Sequence, residues 1–296
     1  MNGVVNAFKP PGWSSHDLVQ LARRCWGIKK VGHAGTLDPG AAGVLLLLLG
    51  RGTRLQEYLM PLEKVYYGEV TFGIGTDTGD GFGEVTHQDA NPPTDWRALA
   101  NVLPQFVGAI EQTPPMASAL KHQGVPLYRL AQRGQTVPRK SRTVEVYNIE
   151  LIDYRLEFPP RALLRVQCGA GTYIRTLFQD LAGALGTSGY MSLLLRSRIG
   201  HFDVSTAQFP ANFPRVCVHP LGNAVSFLRK VVLDWPTAFG VLNGRSPHLH
   251  EPDGLIRLMS PDGQFLAIAE VGAFGTRLRK VFAHKDELNK GGGDSN

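Results

Sequence analysis

Gly32-His33-Ala34-Gly35-Thr36-Leu37-Asp38-Pro39 is followed almost at once by Gly43-Val44-Leu45-Leu46-Leu47-Leu48-Leu49-Gly50. The first stretch is a glycine-flanked loop carrying one carboxylate, and the second has the length of a strand buried on both faces. Glycine lets the backbone turn tightly and lets another molecule come close. Pro39 fixes its own φ and steers Asp38 away from helical geometry. Asp38 is thus expected to stand rigidly at the edge of a core. No second carboxylate, cysteine pair or Ser/His couple lies in the loop, so chemistry here rests on one acid, used as nucleophile or as base. The structural alternative is a turn in which Asp38 caps its own backbone. Distant segments have to decide between the two.

With 296 residues, the chain is expected to form one large and one small domain. A hydrophobic content of 43% and a charged content of 19% are those of a globular protein. Met1 to Trp13 lacks a basic stretch followed by an apolar core, and Val44 to Leu49 is too short to span a bilayer, so a cytoplasmic protein with no membrane partner is expected. Cys25, Cys168 and Cys217 form no CxxC and read as reduced, mostly buried residues. His248 and His250 lack a third ligand, so no metal site is read. The net charge of +6 leans toward a polyanionic partner.

Working outward from the loop, Gly3 to Phe8 reads as a strand closed by Lys9-Pro10-Pro11-Gly12-Trp13. Ser14 and Asp17 have the spacing of a capping box, and Leu18, Leu21, Ala22, Cys25 and Trp26 recur at helical spacing up to Gly27. Lys64 to Gly73 alternates with period two, which puts Tyr66, Gly68, Val70 and Phe72 on one face. Gly73 to Gly83, with Asp77 and Asp80, reads as a loop that fits neither an EF-hand nor a Walker pattern. Thr94 is placed to cap a helix through Trp96, Leu99 and Leu103 that Pro104 should end or kink. Arg161 to Cys168 reads as a strand turned by Gly169-Ala170-Gly171 into a helix that Gly186 stops.

Residues 113–145 read as a loop-rich, basic insertion whose outer half, Arg139, Lys140 and Arg142, is the densest positive cluster in the chain. A basic arm with aromatic residues suits a phosphate backbone. From about Val231 the texture changes to short strands, at Gly240 to Asn243, Gly254 to Leu258, Phe265 to Val271 and Thr276 to Phe282. That pattern predicts a small β-barrel over 231–284, after a main domain over 1–230 and before a disordered tail over 285–296.

These segments together resemble the TruB family of tRNA pseudouridine synthases, from Gly3 to about Gly200. Gly32 to Pro39 looks like the family's first motif, and Lys64-Val65-Tyr66 resembles its tyrosine motif. Gly171-Thr172-Tyr173-Ile174-Arg175 is similar to its arginine motif. Thr113 to Tyr128, with Lys121, looks like its substrate-gripping insertion. Leu194-Leu195-Arg196-Ser197-Arg198-Ile199-Gly200 resembles its closing motif, with Leu195 where an arginine is often found. The resemblance implies an α+β fold: a pseudouridine synthase domain with a central mixed, largely antiparallel sheet, and a small C-terminal PUA-like β-barrel.

The resemblance also implies the reaction, isomerisation of uridine 55 in the T loop of tRNA, with no cofactor and no metal. Asp38 would be the nucleophile, with attack on the sugar C1′ and elimination to a glycal both open. Arg175 would orient Asp38 by a bidentate pair. Tyr66 would stack under the uracil and help remove the C5 proton. The target must flip out of its stack. His33 would stand beside the displaced bases, and Asp80 would recognise the rearranged loop. Gly35, Lys121, Tyr173, Leu194 and the Arg139, Lys140, Arg142 cluster would complete the RNA-binding surface. A monomer without an obligate protein partner is expected. Two rival readings are a non-catalytic RNA binder and an RNA-guided pseudouridylase inside a ribonucleoprotein.

Overall fold

The computed structural model describes residues 1–284 apart from residues 90, 91, 94, 119 and 132. The Thr94 cap and the 285–296 tail therefore lie outside the described residues. The chain divides into two units. One is built from Val5–Leu47 and Gln56–Cys217, the other from Met1–Val4, Leu48–Leu55 and the described part of the chain from Val218 onward.

Among the described residues the larger sheet has nine strands. Its main order is Gly3–Lys9, Ala42–Leu49, Gly189–Ile199, Lys64–Phe72, Arg161–Cys168, Arg142–Arg155 and Gly108–Gln112. Val31–Ala34 pairs with Ala42–Leu49, and Phe202–Asp203 pairs with Gly189–Ile199. Gly189–Ile199 runs parallel to Ala42–Leu49, while the strands from Gly189–Ile199 across to Gly108–Gln112 pair antiparallel. The sheet is mixed, as the resemblance implies.

The leucine run takes a central place because it has no polar face. Val44 to Leu49 are all 0% exposed, and each such side chain contributes about 1.5–3 kcal/mol by leaving water. Gly43 is needed where this strand meets Gly189–Ile199. Its φ is +112°, and a Cβ there would lie 2.2 Å from the Arg196 carbonyl oxygen. In Lys64–Phe72, Tyr66, Gly68, Val70 and Phe72 are buried, while Tyr67 and Glu69 are half-buried. The buried face packs with Ile174, Leu177, Phe178 and Leu181 of helix Ile174–Ala184.

Helix Ser15–Trp26 starts with the full capping box of Ser14 and Asp17 and stops at Gly27 in the left-handed region. Helix Trp96–Val102 is capped by Asp95, which accepts from the Arg97 N–H. The Gly73 to Gly83 segment is more ordered than a loop reading suggests, since Ile74–Thr76 pairs with Val85–Gln88 as a hairpin.

In the other unit, Arg229–Val232, Gly254–Met259, Phe265–Gly272 and Gly275–Val281 form a four-stranded sheet in chain order, with the first pair parallel. Its two outer strands do not pair with each other among the described residues, so the sheet is not closed into a barrel. The strand expected at Gly240 to Asn243 is instead the end of helix Trp235–Leu242. Asp234 accepts from the Thr237 N–H and Pro236 sits in the first turn, a start signal that outweighs the β-like texture. Of the three cysteines, Cys168 is buried, Cys25 is intermediate and Cys217 is exposed, so the last departs from the buried reading. No helix among the described residues is long and apolar enough to cross a membrane.

Candidate active site

Asp38 sits in the turn between Val31–Ala34 and Ala42–Leu49. Its carbonyl accepts from the Ala41 N–H at 3.0 Å, and the Pro39 carbonyl accepts from the Gly12 N–H at 2.9 Å. Three buried side chains hold the loop from below. Ser15 Oγ both receives the Leu37 N–H at 3.0 Å and donates to the Leu37 carbonyl at 3.2 Å. Lys9 Nζ donates to the carbonyls of Pro10, Trp13 and Pro39 at 2.8, 2.6 and 3.1 Å. Arg196 donates to the carbonyls of Val44, Thr36 and Gly35 at 2.8, 3.3 and 3.0 Å. Gly35 turns there with φ +85°, a conformation open to glycine at no steric cost.

The carboxylate meets Arg175, the second residue of helix Ile174–Ala184. Nη2 of Arg175 donates to Oδ2 of Asp38 at 2.5 Å. Nη1 donates to the Thr78 carbonyl at 3.0 Å and pairs with Oδ2 of Asp80 at 3.3 Å. Nη2 also reaches the Ala117 carbonyl at 3.3 Å, from the base of the basic insertion. The Arg175 side chain is 4% exposed, Asp80 14% and Asp38 35%, so of the three groups the acid at the mouth is the one open to a ligand. The expected two-pronged grip on Asp38 is corrected to one prong per carboxylate, because Asp80 occupies the other arm of the fork.

Tyr66 is buried in the same apolar cluster as Leu37, Ala41, Val166 and Ile174. Burial pushes its phenol above the ordinary range, Arg196 beside it pulls the other way, and Asp38 adds to the rise. The phenol therefore stays protonated at neutral pH. His33 lies on Val31–Ala34, and burial followed by the nearby charges of Arg196 and His16 lowers its imidazole, so the ring stays neutral. Its Nδ1 is buried with no hydrogen-bond partner among the described residues.

Asp80 faces inward. Its Oδ1 accepts from Thr78 Oγ1 at 2.7 Å and from the Phe82 N–H at 3.1 Å, and its Oδ2 meets Arg175. Leu194 is buried and lines the cleft that also contains Asp38, Ala41, Asp80, Phe82 and Met191. The peptide of Tyr173 is clamped by the buried Gln112 side chain, which accepts from the Tyr173 N–H at 3.0 Å and donates to its carbonyl at 3.3 Å. Arg142 lies over the Tyr173 ring at 4.9 Å and donates to the Gly171 carbonyl at 2.5 Å. Arg139 donates to the Pro114 carbonyl at 2.9 Å, while Lys140 and Lys121 are exposed. The cluster thus splits, with its two arginines folded back on the protein and Lys140 turned to water.

Lys9, Ser15, Thr78, Gln112 and Arg196 escaped the sequence reading as parts of the site. Arg196 left a signal, because it stands two residues after Leu194, and in this part of the strand those two alternating positions are both buried. A cation in that register must find carbonyls or a carboxylate inside the protein.

Comparison with known proteins gives the fold and the family. The fold is shared with a chain of a solved Cbf5-Nop10-Gar1 complex, at a TM-score of 0.74 and 26% identity, covering 96% of this chain and 86% of that one. Residues 23–174 match the model of the TruB family pseudouridylate synthase N-terminal domain. The chain is 40% identical to the tRNA pseudouridine synthase B of Pelotomaculum thermopropionicum, over 95% of both proteins. It is 42% identical to the enzyme of the same name from Symbiobacterium thermophilum, over 83% of both. The chain belongs to the TruB family of pseudouridylate synthases.

Proposed function

We propose that this chain is a tRNA pseudouridine synthase that isomerises uridine 55 in the T loop, acting as a single chain. The observation that carries this reading is the Asp38 carboxylate, part-exposed at the mouth of a cleft and held through Oδ2 by a buried guanidinium, in a chain of this family.

The uridine leaves its stack and enters the cleft. Its N1–C1′ bond breaks, the uracil turns, C5 joins C1′, and the C5 proton leaves, so no atom is lost from the base except a proton that N1 regains. Asp38 takes up the positive character that develops at C1′, by attack there or by promoting elimination to a glycal. Arg175 fixes the acid in place. Tyr66, neutral and buried, suits stacking under the ring, and its part in removing the C5 proton requires that a bound base change its surroundings. His33 is proposed to occupy space beside the displaced bases. Lys121 and Lys140 are proposed to meet phosphates. The four-stranded C-terminal sheet is proposed as a PUA-like module that grips the rest of the tRNA.

The test is release of tritium from tRNA labelled at C5 of uridine. Release of one equivalent from wild-type transcript, and none from a transcript with cytidine at position 55, is expected. Absence of release from folded tRNA would reject the reading in favour of a binder.

A further inference from the structure

We infer that Phe82 is a further substrate-contacting residue, a stacking platform for a nucleobase that flanks the uridine held at Asp38. The inference rests on the proposed action on RNA. Phe82 stands between Gly81 and Gly83 and is 75% exposed. Its place is not that of a stray surface residue, for it lines the same cleft as Asp38. Part of the ring rests on the backbone just past the acid, where a Cβ added to Gly40 would lie 2.2 Å from Cε2 and 2.9 Å from Cδ2 of Phe82. Only a residue without a side chain at position 40 lets the ring lie there.

The backbone under the ring is fixed. The Phe82 N–H donates to Oδ1 of Asp80, whose other oxygen meets Arg175. The Gly81 N–H donates to the Met191 carbonyl at 3.1 Å, and the Gly83 N–H donates to the Asp80 carbonyl at 3.2 Å. An aromatic ring held from beneath and open above is what a base needs in order to stack, and such stacking tolerates any base because every base has a π face. Taking one nucleotide out of its stack leaves its neighbours with uncovered faces. Phe82 covers one of them beside the cleft. Having no polar atom, its side chain reads no base edge.

The test compares the full-length wild type with Phe82→Ala, Phe82→Leu and Phe82→Tyr on a T stem-loop RNA, by tritium release. In parallel, RNA carrying 2-aminopurine immediately before or after the target uridine is bound to each protein and its fluorescence read. Phe82→Ala is expected to raise KM about 5- to 150-fold with kcat unchanged, the range that one base–aromatic stack spans. Phe82→Tyr should behave as wild type, whereas Phe82→Leu, which keeps apolar bulk over Gly40 but no π face, should behave as Phe82→Ala. One of the two 2-aminopurine probes should be quenched by wild type and by Phe82→Tyr only. A wild-type KM in Phe82→Ala or in Phe82→Leu, or quenching equal in all four proteins, overturns the inference. A wild type that releases no tritium overturns the proposed activity instead, and the fluorescence comparison still decides whether Phe82 stacks.

Discussion

Nη2 of Arg175 donates to Oδ2 of Asp38 at 2.5 Å across a sequence separation of 137 residues. The same guanidinium holds Asp80 with its other terminal nitrogen, so one buried cation is shared by two carboxylates. Asp38 is tied by one oxygen, and its Oδ1 takes no protein hydrogen bond among the described residues. A carboxylate restrained this way is oriented yet keeps a lone pair free for a ligand.

Asp38→Asn keeps the shape of the loop and removes the charge. Turnover measured by tritium release should fall by about 10⁴-fold or more, with RNA affinity in a filter-binding assay close to wild type. Turnover near wild type would remove Asp38 from the mechanism.

Arg175→Lys retains a positive charge but lacks the planar fork that reaches Asp38, Asp80 and two carbonyls together. A loss of about 10²-fold in kcat is expected, the scale of a misplaced reacting group, with KM little changed. A variant as fast as wild type would show that charge alone suffices. Asp80→Asn, which weakens the second arm, should cost less than the Arg175 change.

Lys9 supplies the pH dependence. Burial lowers it to about 8, opposed by Asp38 and reinforced by Arg196. Between about 8 and the ordinary lysine value of 10.5 the unfolded chain holds this proton while the folded chain has lost it, so this group's contribution to stability rises with pH in that window. Deprotonation also removes the cation that ties Pro10, Trp13 and Pro39 beneath the acid. We therefore expect kcat to fall with a midpoint near 8 while stability, referenced to Lys9→Arg, climbs. Lys9→Arg stays charged and should lose that alkaline limb. If the limb persists unchanged, it belongs to another group, Lys64 being the one also lowered to about 8.

The salt dependence of RNA binding should separate Lys140 from Arg142 in the insertion. Lys140→Ala should flatten the slope of log K against log salt by about 0.7 to 1 unit, one phosphate contact. Arg142→Ala should act through Tyr173 and the Gly171 turn, lowering kcat more than the slope. Equal slope changes for the two would mean that Arg142 leaves its perch to meet phosphate.

Much of the site's framework was legible because it is written in local periodicity. The alternation in Lys64–Phe72 set which face Tyr66 occupies, and Ser14 with Asp17 marked the helix start. The helix at Trp235–Leu242 differs from the strand expected there because apolar residues flanking a glycine satisfy either period, and the Asp234 cap and Pro236 are what distinguish them. The shared fork of Arg175 and the inward turn of Arg139 and Arg142 left no such trace, since side-chain partners depend on register and packing.

By itself the sequence determined that one acid stands on a stiff glycine and proline loop before a strand with no polar face, for both facts follow from backbone sterics and from the cost of leaving leucine in water. The tertiary structure decided what surrounds that acid. It brought Lys9, Ser15 and Arg196 under the loop, put Asp80 on the other arm of Arg175 and laid Phe82 against Gly40. The reason is range: torsional preference and hydrophobic phase act over a few residues, whereas an ion pair closes only after distant strands have found their register.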